Sequence, residues 1–583
     1  MALPDRPVDR TAASSGHRHL IHRCVSALAP FALATASTAS AAPDTPAARP
    51  APTVAARNER INAALPADQA ALKSHVMFLA SDAMKGREAG SGEFDIAAQY
   101  VASQFYAAGL RPLGDEGGYQ QAVPLVAYKA ADRGSFVWTG ADGASVPLLF
   151  GVDIVPAATP AARTVAVSAP VVFVGHGLEA PAYGLDDYAG VDVRGKIVAY
   201  VGGAPEGLPA EVAATFAGAE ARLRAAAGHG AIGALAIADL RKAARGSPGF
   251  AEARSAFGKE RVTWATGTGD TTAGQSLTPG TPLLGTLSPA GAGKLFGAHW
   301  AAIAKGAAAR TMRVPPVTAS GRLAVQGKTS FRRFDSSNVV GVLPGSDPVL
   351  AKQFVVLSAH LDHIGVGAPV DGDAINNGAL DDALGIASLI EEAHRFRAAG
   401  VAPKRSIIFL ALTAEEKGLV GSDYFVNHPP VPIRDIVADV NLDMPILTYR
   451  FEDMVAFGGD RSSLGAIIAR ATSAIGVTLS PDPVPDMSIF VRSDHYNFVR
   501  KGVPSIFLWP GLKGPGRAAF DRFMGQCYHR PCDDLMQPIL WDQGVRFVDA
   551  NFRIARDIAD APSRPVWNKG DYFGTLYGGP MAP

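Results

Sequence analysis

The 583-residue sequence lacks an excess of charge of either sign, because Lys and Arg number 54 together and Asp and Glu also number 54. This balance gives no electrostatic basis for binding nucleic acid or a charged membrane surface. The sequence also lacks the HExxH and GxSxG patterns, which removes two common hydrolase designs. It contains no repeat of 20–50 residues, so no repeat architecture is expected. With 48% hydrophobic and 19% charged residues, the composition is that of an ordinary globular protein.

Cysteine is scarce as well, with three residues in the chain. Cys24 lies in a predicted export signal, which leaves Cys527 and Cys532 for the mature protein. A closely spaced pair in an exported protein is compatible with a disulfide bond. Two free thiols are the alternative, because geometry and not spacing decides.

The N-terminus predicts that export signal over residues 1–41. Basic residues at positions 17–23 precede the apolar run Val25 to Ala36, and the small residues at 39–41 fit a cleavage site. The run is too short and too interrupted to span a bilayer, so we expect a periplasmic or secreted protein without a membrane span. An Ala-rich disordered tail is the alternative. Residues 42–59 are predicted to be a disordered linker.

The rest of the chain divides into three regions by pattern. Residues 60–125 predict helices around a glycine-rich turn, and residues 126–325 predict an inserted β-rich module in which short apolar runs alternate with Gly and Pro. Residues 326–565 alternate strand and helix, which predicts an α/β fold, a three-layer sandwich with a mostly parallel central sheet. Residues 566–583 are assigned to a C-terminal tail.

Candidate metal ligands follow the predicted strands of the third region. His360 in AHLDH, the pair Glu415 and Glu416 in TAEEKGL, and Asp443 in NLDM each come directly after a buried-type strand. Ligands of parallel sheets bind beyond the carboxyl ends of the strands. We therefore expect these side chains to share one edge of the sheet.

Two more positions complete the set. Asp381 begins a helix in ALDDALG, and His529 lies in the irregular loop CYHRPC. Each could be ordinary by itself, since an aspartate at a helix start is commonly a cap and a loop histidine is commonly a surface group. Imidazoles and carboxylates at one edge are, however, the ligands of a zinc centre, and a carboxylate often bridges two ions. The pattern thus predicts a two-metal hydrolase site.

These motifs resemble the M28 family of zinc aminopeptidases, over residues 60–125 and 325–565. The segment LASDAMKGREAGS (79–91) resembles the N-terminal stretch of that family, and GLDDYAGVDVRGKIV (184–198) resembles a protease-associated (PA) insert. The resemblance implies a peptide-hydrolysing enzyme with two zinc ions per chain. The implied zinc ligands are His360, Asp381, Glu416, Asp443 and His529.

The resemblance also implies a role for each position. His360 and Asp443 would bind one zinc, Glu416 and His529 the other, and Asp381 both. Glu415 would be the general base and Asp362 would orient His360 as a catalytic partner. The peptide bond from Asp381 to Asp382 is expected to be cis. A Cys527–Cys532 bridge would stiffen the loop of His529.

Weaker candidates surround this set. In the motif SDH, Asp494 and His495 are as well explained by a capped helix start as by contact with the site. His363 is a ligand by type, but an ordinary loop position is favoured. Arg492 and Tyr496 could bind substrate, although the sequence does not show which groups they would meet.

Three other functions remain open at this point. A glutaminyl cyclase shares the fold with one zinc, and a carboxypeptidase or dipeptidase shares the ligand types. A receptor-like protein with a PA insert would have lost ligands, and none of the five positions is substituted here. Side-chain specificity, the role of the insert and the oligomeric state cannot be deduced from the sequence.

Overall fold

The structure, a computed structural model, describes residues 53–216, 218–238, 240, 249–266, 281–309, 311 and 313–583. The predicted signal and most of the predicted linker lie outside these residues. The end of the predicted linker is not disordered, because the helix Val54–Ile61 occupies it and Arg57 forms an ion pair with Asp534 at 3.1 Å. No helix in the described ranges is both long and apolar enough to cross a bilayer.

Four parallel strands form the centre of the largest sheet. In spatial order they are Ser406–Leu412, Phe354–His360, Ile436–Leu442 and Ser505–Pro510. Nearly every residue in them is buried, because helices cover both faces of the sheet. Such strands read as unbroken apolar runs, and this is why the sequence alone indicates buried-type strands directly before His360, Glu415 and Asp443.

Helices form the two outer layers. One face of strand Phe354–His360 buries Val355 and Leu357 against the larger helical layer. The opposite face buries Val356 against Phe425 and Phe498. The helices of the larger layer are Ala67–Leu79, Gly92–Ala107, Leu384–Ala398, Leu464–Ser473 and Trp541–Asp560. Those of the other layer are Val420–Asn427 and His495–Val499. The predicted three-layer α/β sandwich is therefore confirmed.

Further strands, most of them paired antiparallel, extend this sheet to thirteen strands among the described residues. Asp453–Phe457 and Thr478–Ser480 lie at one end. The other end is built on Gly321–Leu343, a 23-residue strand that pairs in turn with several partners. These partners and their neighbours are Arg111–Pro112, Gln120–Ala130, Ser135–Gly140, Ser145–Pro147, Thr164–Ala169 and Arg261–Trp264.

The long strand crosses the predicted domain junction at 325/326 without interruption. Residues 321–328 of it pair with the strands Ser135–Gly140 and Thr164–Ala169 of the predicted insert. Residues 339–343 pair with Ser406–Leu412 of the central sheet. One continuous strand thus ties the inserted region to the sheet that carries the candidate site.

The inserted region has a sheet of its own with six described strands. Their spatial order is Val317–Thr318, Val171–Phe173, Ile197–Val201, Gly233–Ile237, Leu283–Leu287 and Ile154–Pro156. Helices accompany it at Ala210–Thr215, Glu220–Gly228, Gly249–Ala256, Pro289–Phe296 and Trp300–Ala309. Two-stranded ribbons are Glu179–Ala180 with Leu185–Asp186, and Val366–Val370 with Asp373–Ile375.

The C-terminal residues pack onto the rest of the chain. Trp567 is fully buried and its indole Nε1 donates a hydrogen bond to the carbonyl of Gly502 at 2.8 Å. The short helix Tyr572–Leu576 follows it. Earlier in the chain, the helix Gly516–Gln526 leads directly into the loop of His529.

Candidate metal centre

His360 and Asp443 come from neighbouring strands. Phe354–His360 and Ile436–Leu442 run parallel and side by side, so their carboxyl ends open at the same edge. His360 Nε2 lies 3.4 Å from Asp443 Oδ1. The two side chains are 1% and 8% exposed, which means that the sheet itself fixes this part of the site.

Asp381 lies between two imidazoles. Its Oδ1 is 3.2 Å from His360 Nε2 and its Oδ2 is 3.3 Å from His529 Nε2. Burial opposes ionisation of this carboxyl, but His360 and His529 outweigh burial and lower its pKa. The peptide bond between Asp381 and Asp382 is cis, as the family resemblance implies. One carboxylate therefore presents one oxygen to each half of the site.

Glu416 and His529 form the second half. Glu416 Oε2 is 3.1 Å from His529 Nε2, and Glu416 Oε1 is 2.8 Å from His363 Nδ1. Burial and Asp381 would raise the pKa of Glu416, yet the two imidazoles lower it to about 2. Burial lowers the pKa of His529, and contact with Asp381 and Glu416 raises it to about 10.

His363 belongs to this site, although the sequence favours an ordinary loop position for it. The ring is fully buried, and ligand atoms of His363, Asp381 and Glu416 all lie within 4.8 Å of one another. Sequence spacing gives no means of choosing between two histidines in AHLDH. The contact with Glu416, which only the fold brings about, is what assigns His363 to the site.

The orientation of His360 comes from the main chain of Asp362. His360 Nδ1 donates a hydrogen bond to the Asp362 carbonyl oxygen at 3.0 Å, which turns Nε2 toward Asp381 and Asp443. The carboxylate of Asp362 has another task, because it accepts the N–H groups of Glu415 at 3.0 Å and Glu416 at 3.4 Å. The predicted orienting role thus belongs to the carbonyl, and the side chain holds the glutamate turn. Burial raises the pKa of this carboxyl to about 7.

Glu415 lines the cavity beside His360, Asp381 and Asp443. Burial is the main cause that raises the pKa of its carboxyl well above the usual value. The Glu415 carboxyl thus lies beside the ligand-type groups, while Glu416 contacts the imidazoles.

The donor set fits a metal ion by its chemistry and by its unused atoms. Within the described residues, His360 Nε2, both ring nitrogens of His363 and Glu416 Oε1 are buried without a hydrogen-bond partner. The short distances to acidic oxygens are therefore contacts without hydrogen-bond geometry, as expected of groups that converge on a cation. Imidazole nitrogens and carboxylate oxygens are the ligands that zinc binds in hydrolytic sites.

Asp382 is also near the first half, since its ligand atoms lie within 4.8 Å of those of His360 and Asp443. Its Oδ1, however, accepts the N–H groups of Gly385 at 3.1 Å and Met444 at 3.0 Å. Burial raises the pKa of this carboxyl well above normal. Asp382 thus joins the helix start to the strand end that carries Asp443.

Two buried groups that sequence reasoning did not single out support the Asp381 turn. Arg87 is fully buried and donates hydrogen bonds to the carbonyls of Leu361 at 2.9 Å and Gly378 at 3.1 Å, on either side of the site. Asp533 accepts the N–H groups of Leu380 at 2.9 Å and Asp381 at 3.1 Å. Arg87 lies in the segment KGREAGS and Asp533 in YHRPCDD. These two segments are the sequence features by which both residues could have been identified.

Ser493 is the member of the SDH motif that contacts a ligand. Its hydroxyl donates to Asp443 Oδ2 at 2.5 Å and accepts a hydrogen bond from Asn441 Nδ2 at 2.7 Å. Asp494 and His495 are fully buried but do not line the cavity. Asp494 and His495 are the candidates that the sequence suggests in this motif, whereas Ser493 is the residue that contacts Asp443 in the structure.

The loop of His529 is closed by a disulfide bond between Cys527 and Cys532, the pairing that the sequence leaves open. His529 lies between them with φ +56°, and its side chain is 35% exposed. Both thiols are consumed by the bond, so neither is available as a thiolate ligand.

The cavity continues away from the ligands into a mainly apolar wall. Arg492 and Ser493 are its polar members outside the metal centre. The apolar and aromatic members are Met444, Met487, Ile489, Phe507, Trp509, Met524 and Tyr528.

Comparison with known proteins gives a family match and partial sequence relatives. Residues 338–554 match the profile described as Peptidase family M28. The chain is 28% identical over 228 residues to leupeptin-inactivating enzyme 1 of Streptomyces exfoliatus, covering 36% of this chain and 46% of that protein. It is 31% identical over 185 residues to probable leucine aminopeptidase 2 of Aspergillus oryzae, covering 30% and 34%. The chain thus spans less than half the length of these relatives.

Among solved structures, an aminopeptidase from Aneurinibacillus sp. strain AM-1 aligns with a TM-score of 0.44 and 18% identity, over 85% of this chain and 95% of that one. The matched segment 338–554 contains all five predicted ligand positions, from His360 to His529. Residues 338–554 of this chain therefore form a domain of peptidase family M28.

Proposed function

We propose that this protein is a zinc-dependent exopeptidase that removes N-terminal residues from peptides. The observation that carries the proposal is the Asp381 carboxylate, which faces His360 with one oxygen and His529 with the other. A bridging carboxylate is typical of two-metal hydrolases. The family membership of residues 338–554 supports peptide hydrolysis.

The five side chains would hold two zinc ions. His360 and Asp443 would bind the first ion, Glu416 and His529 the second, and Asp381 both. When bound, the ions would polarise the scissile carbonyl and lower the pKa of water. His363, buried against Glu416, fixes the position of that carboxylate or serves as a further nitrogen ligand.

Glu415 would move the proton. Its carboxylate would accept a proton from the attacking water and return it to the nitrogen of the leaving amine. Burial raises the pKa of Glu415, which brings this carboxyl toward the range in which one group can both accept and release a proton at neutral pH. The N–H of Glu415 is held by the Asp362 carboxylate at 3.0 Å, so the base is positioned through its backbone.

The composition of the cavity lining supports entry of the N-terminal end of a peptide. The site is rich in carboxylates, which suits the positive charge of a free α-amine, and the remaining wall is apolar. An apolar first side chain would bury its surface there, at about 25 cal/mol per Å². We therefore expect preference for free N-termini that carry a Leu- or Phe-sized residue.

The inserted region and the N-terminus lead to two further proposals. Residues 126–325 would be a PA-type domain, supported by the segment 184–198 and by a sheet and hydrophobic cluster of their own. The protein would be exported, to the periplasm or outside the cell. The Cys527–Cys532 bond supports an oxidising compartment.

Zinc counting combined with matched peptides tests the proposed function. We expect two zinc ions per chain at saturation and rapid cleavage of Leu- and Phe-initiated peptides. The N-acetylated forms of the same peptides should be cleaved far more slowly. Equal cleavage of blocked and free peptides would contradict the aminopeptidase assignment, and a single zinc at saturation would favour cyclase-like chemistry.

A further inference from the structure

We infer that Arg492 forms a carboxylate-binding subsite at the cavity, so that substrates carrying a carboxylate near the scissile bond are preferred. The inference rests on the proposed function and narrows its substrate class to short peptides with a free C-terminus. An acidic side chain would supply the same chemistry from a second source.

Among the described residues that line the cavity of the metal centre, Arg492 is the only Lys or Arg. Its neighbours there include His360, Asp381, Glu415 and Asp443. Every other charged group in that lining is an acid or an imidazole of the candidate centre. The cavity therefore offers one permanent positive charge that the metal ligands do not use.

The guanidinium of Arg492 makes no hydrogen bond, ion pair or ring contact in the part of the chain that the structure describes. Three other arginines show the contrast, because each has a partner. Arg461 pairs with Asp571 at 3.0 Å, Arg500 pairs with Glu220, and Arg87 binds carbonyls such as that of Leu361 at 2.9 Å. Arg492 is thus an exposed cation with a free fork of donors, whereas these three arginines outside the cavity lining already have partners.

The backbone of Arg492, by contrast, is fixed. Its N–H donates to the Ile489 carbonyl at 3.0 Å, which closes the short turn Ile489–Val491. The next residue is Ser493, whose hydroxyl binds Asp443 Oδ2 at 2.5 Å. The side chain therefore starts one residue from a contact with a candidate metal ligand, while its guanidinium remains available.

A carboxylate matches these donors. The planar guanidinium binds a carboxylate with two parallel hydrogen bonds, and the apolar neighbours Met487 and Ile489 reduce competition from water. The terminal carboxylate of a di- or tripeptide lies one or two residues beyond the scissile bond. Because an extended chain advances about 3.3–3.6 Å per residue, this carboxylate stays close to the metal centre. The apolar wall disfavours an acidic first residue, so the C-terminal carboxylate is the source that the structure favours.

Two matched substrate pairs test the subsite and distinguish a C-terminal carboxylate from an acidic side chain as its ligand. Leu-Gly-Gly and its C-terminal amide differ in the terminal carboxylate, and the p-nitroanilides of Glu and Gln differ in the side chain. Each pair is measured with wild type, Arg492→Lys, Arg492→Ala and Arg470→Ala. The last variant is the control, because it removes an exposed charge on the helix Leu464–Ser473 away from the cavity lining.

We expect wild type to prefer the free acid of Leu-Gly-Gly over its amide. Arg492→Ala should reduce the acid-to-amide ratio of kcat/KM about 10- to 100-fold, the range of a hydrogen-bonded charge. The change should appear mainly in KM. Arg492→Lys should keep part of the preference, and Arg470→Ala should leave it unchanged. A loss confined to the Glu and Gln pair would keep the subsite but assign it to an acidic side chain.

Equilibrium binding gives a readout that does not need turnover. In a Glu415→Gln background, Arg492→Ala should weaken binding of Leu-Gly-Gly more than binding of its amide, by the same factor. Acid-to-amide ratios that stay at the wild-type value in both measurements would overturn the inference while leaving the proposed function intact. Failure of the wild type to distinguish free from N-acetylated peptides would instead contradict the proposed function.

Discussion

The two halves of the candidate metal centre are built differently. The strand-borne half, His360 and Asp443, lies at the ends of adjacent parallel strands and is 1% and 8% exposed. The loop-borne half consists of Glu416 and His529. Glu416 follows a strand through a turn, and His529 lies in a loop closed by a disulfide bond. The His529 side chain is 35% exposed. Asp381 belongs to both. The sheet thus fixes one half in advance, whereas the other depends on the anchoring of two loops.

The largest effect is expected where the halves meet. Asp381→Ala removes the carboxylate that faces both His360 and His529. We expect both zinc sites to be weakened together and turnover to fall to background. Metal counting by mass spectrometry alongside kcat measures this, with Arg470→Ala as the control. Full retention of one zinc with wild-type affinity would show that Asp381 is not shared.

Glu415→Gln should separate chemistry from metal binding. The Glu415 side chain lines the cavity but is not one of the five proposed ligands, so we expect the variant to keep the zinc content of the wild type. Loss of a general base lowers kcat about 10²- to 10⁴-fold. Glu416→Gln is the matched comparison, because this variant of the neighbouring residue should lose zinc as well as activity. Unchanged kcat in Glu415→Gln would move the base elsewhere.

The next prediction contrasts the imidazoles of the two halves. His360→Ala leaves Asp381 and Asp443 buried without their shared partner, and we expect it to destabilise the metal-free fold by about 1–3 kcal/mol. His529→Ala lies at the exposed end of the site and should cost under about 1 kcal/mol. Thermal unfolding in chelator measures both. Equal destabilisation would remove the structural distinction between the halves.

The disulfide gives a smaller and more selective change. Replacing both Cys527 and Cys532 by Ser releases the loop that carries His529. We expect zinc affinity of the loop-borne half to fall about 10-fold, which is the scale for losing a group that orients a ligand. Chelator competition should detect one weakened site and one unchanged site. Reduction of the wild-type protein should reproduce this result, and equal weakening of both sites would contradict it.

The smallest effect concerns the contact of the inserted region with the cavity wall. Arg461 pairs with Glu211 of the helix Ala210–Thr215 and stacks over Phe490, 5.1 Å from the ring centre. Phe490 belongs to the turn Ile489–Val491, and Ile489 lines the cavity. Partly exposed ion pairs contribute up to about 1 kcal/mol, so Glu211→Gln should raise KM at most about 5-fold. A change in zinc content instead would mean that the insert supports the metal centre itself.

The contrast between the halves also explains what the sequence could predict. The strands that carry His360 and Asp443 are short apolar runs in the sequence, and the structure places them at 354–360 and 436–442. Local periodicity is enough for such elements, because burial on both faces leaves a continuous signal. The helix Trp541–Asp560 gives a different local signal, because its buried residues recur at helical spacing along one face.

Contacts between distant segments were beyond local patterns. His363 becomes part of the site only because Glu416, on another strand end, reaches it at 2.8 Å. Arg87 contacts the carbonyl of Leu361, 274 residues away in the chain. The strand Gly321–Leu343 has no single periodic pattern, since its pairing partners and burial change along its length. These features depend on tertiary packing, which no window of sequence contains.

The central claim is that one carboxylate, that of Asp381, is shared by two zinc ions. Anomalous diffraction at the zinc edge from crystals of the zinc-loaded protein tests it directly. We expect two anomalous peaks, one beside His360 and Asp443 and the other beside Glu416 and His529, with Asp381 in contact with both. A single peak, or two peaks of which Asp381 touches only one, would contradict it.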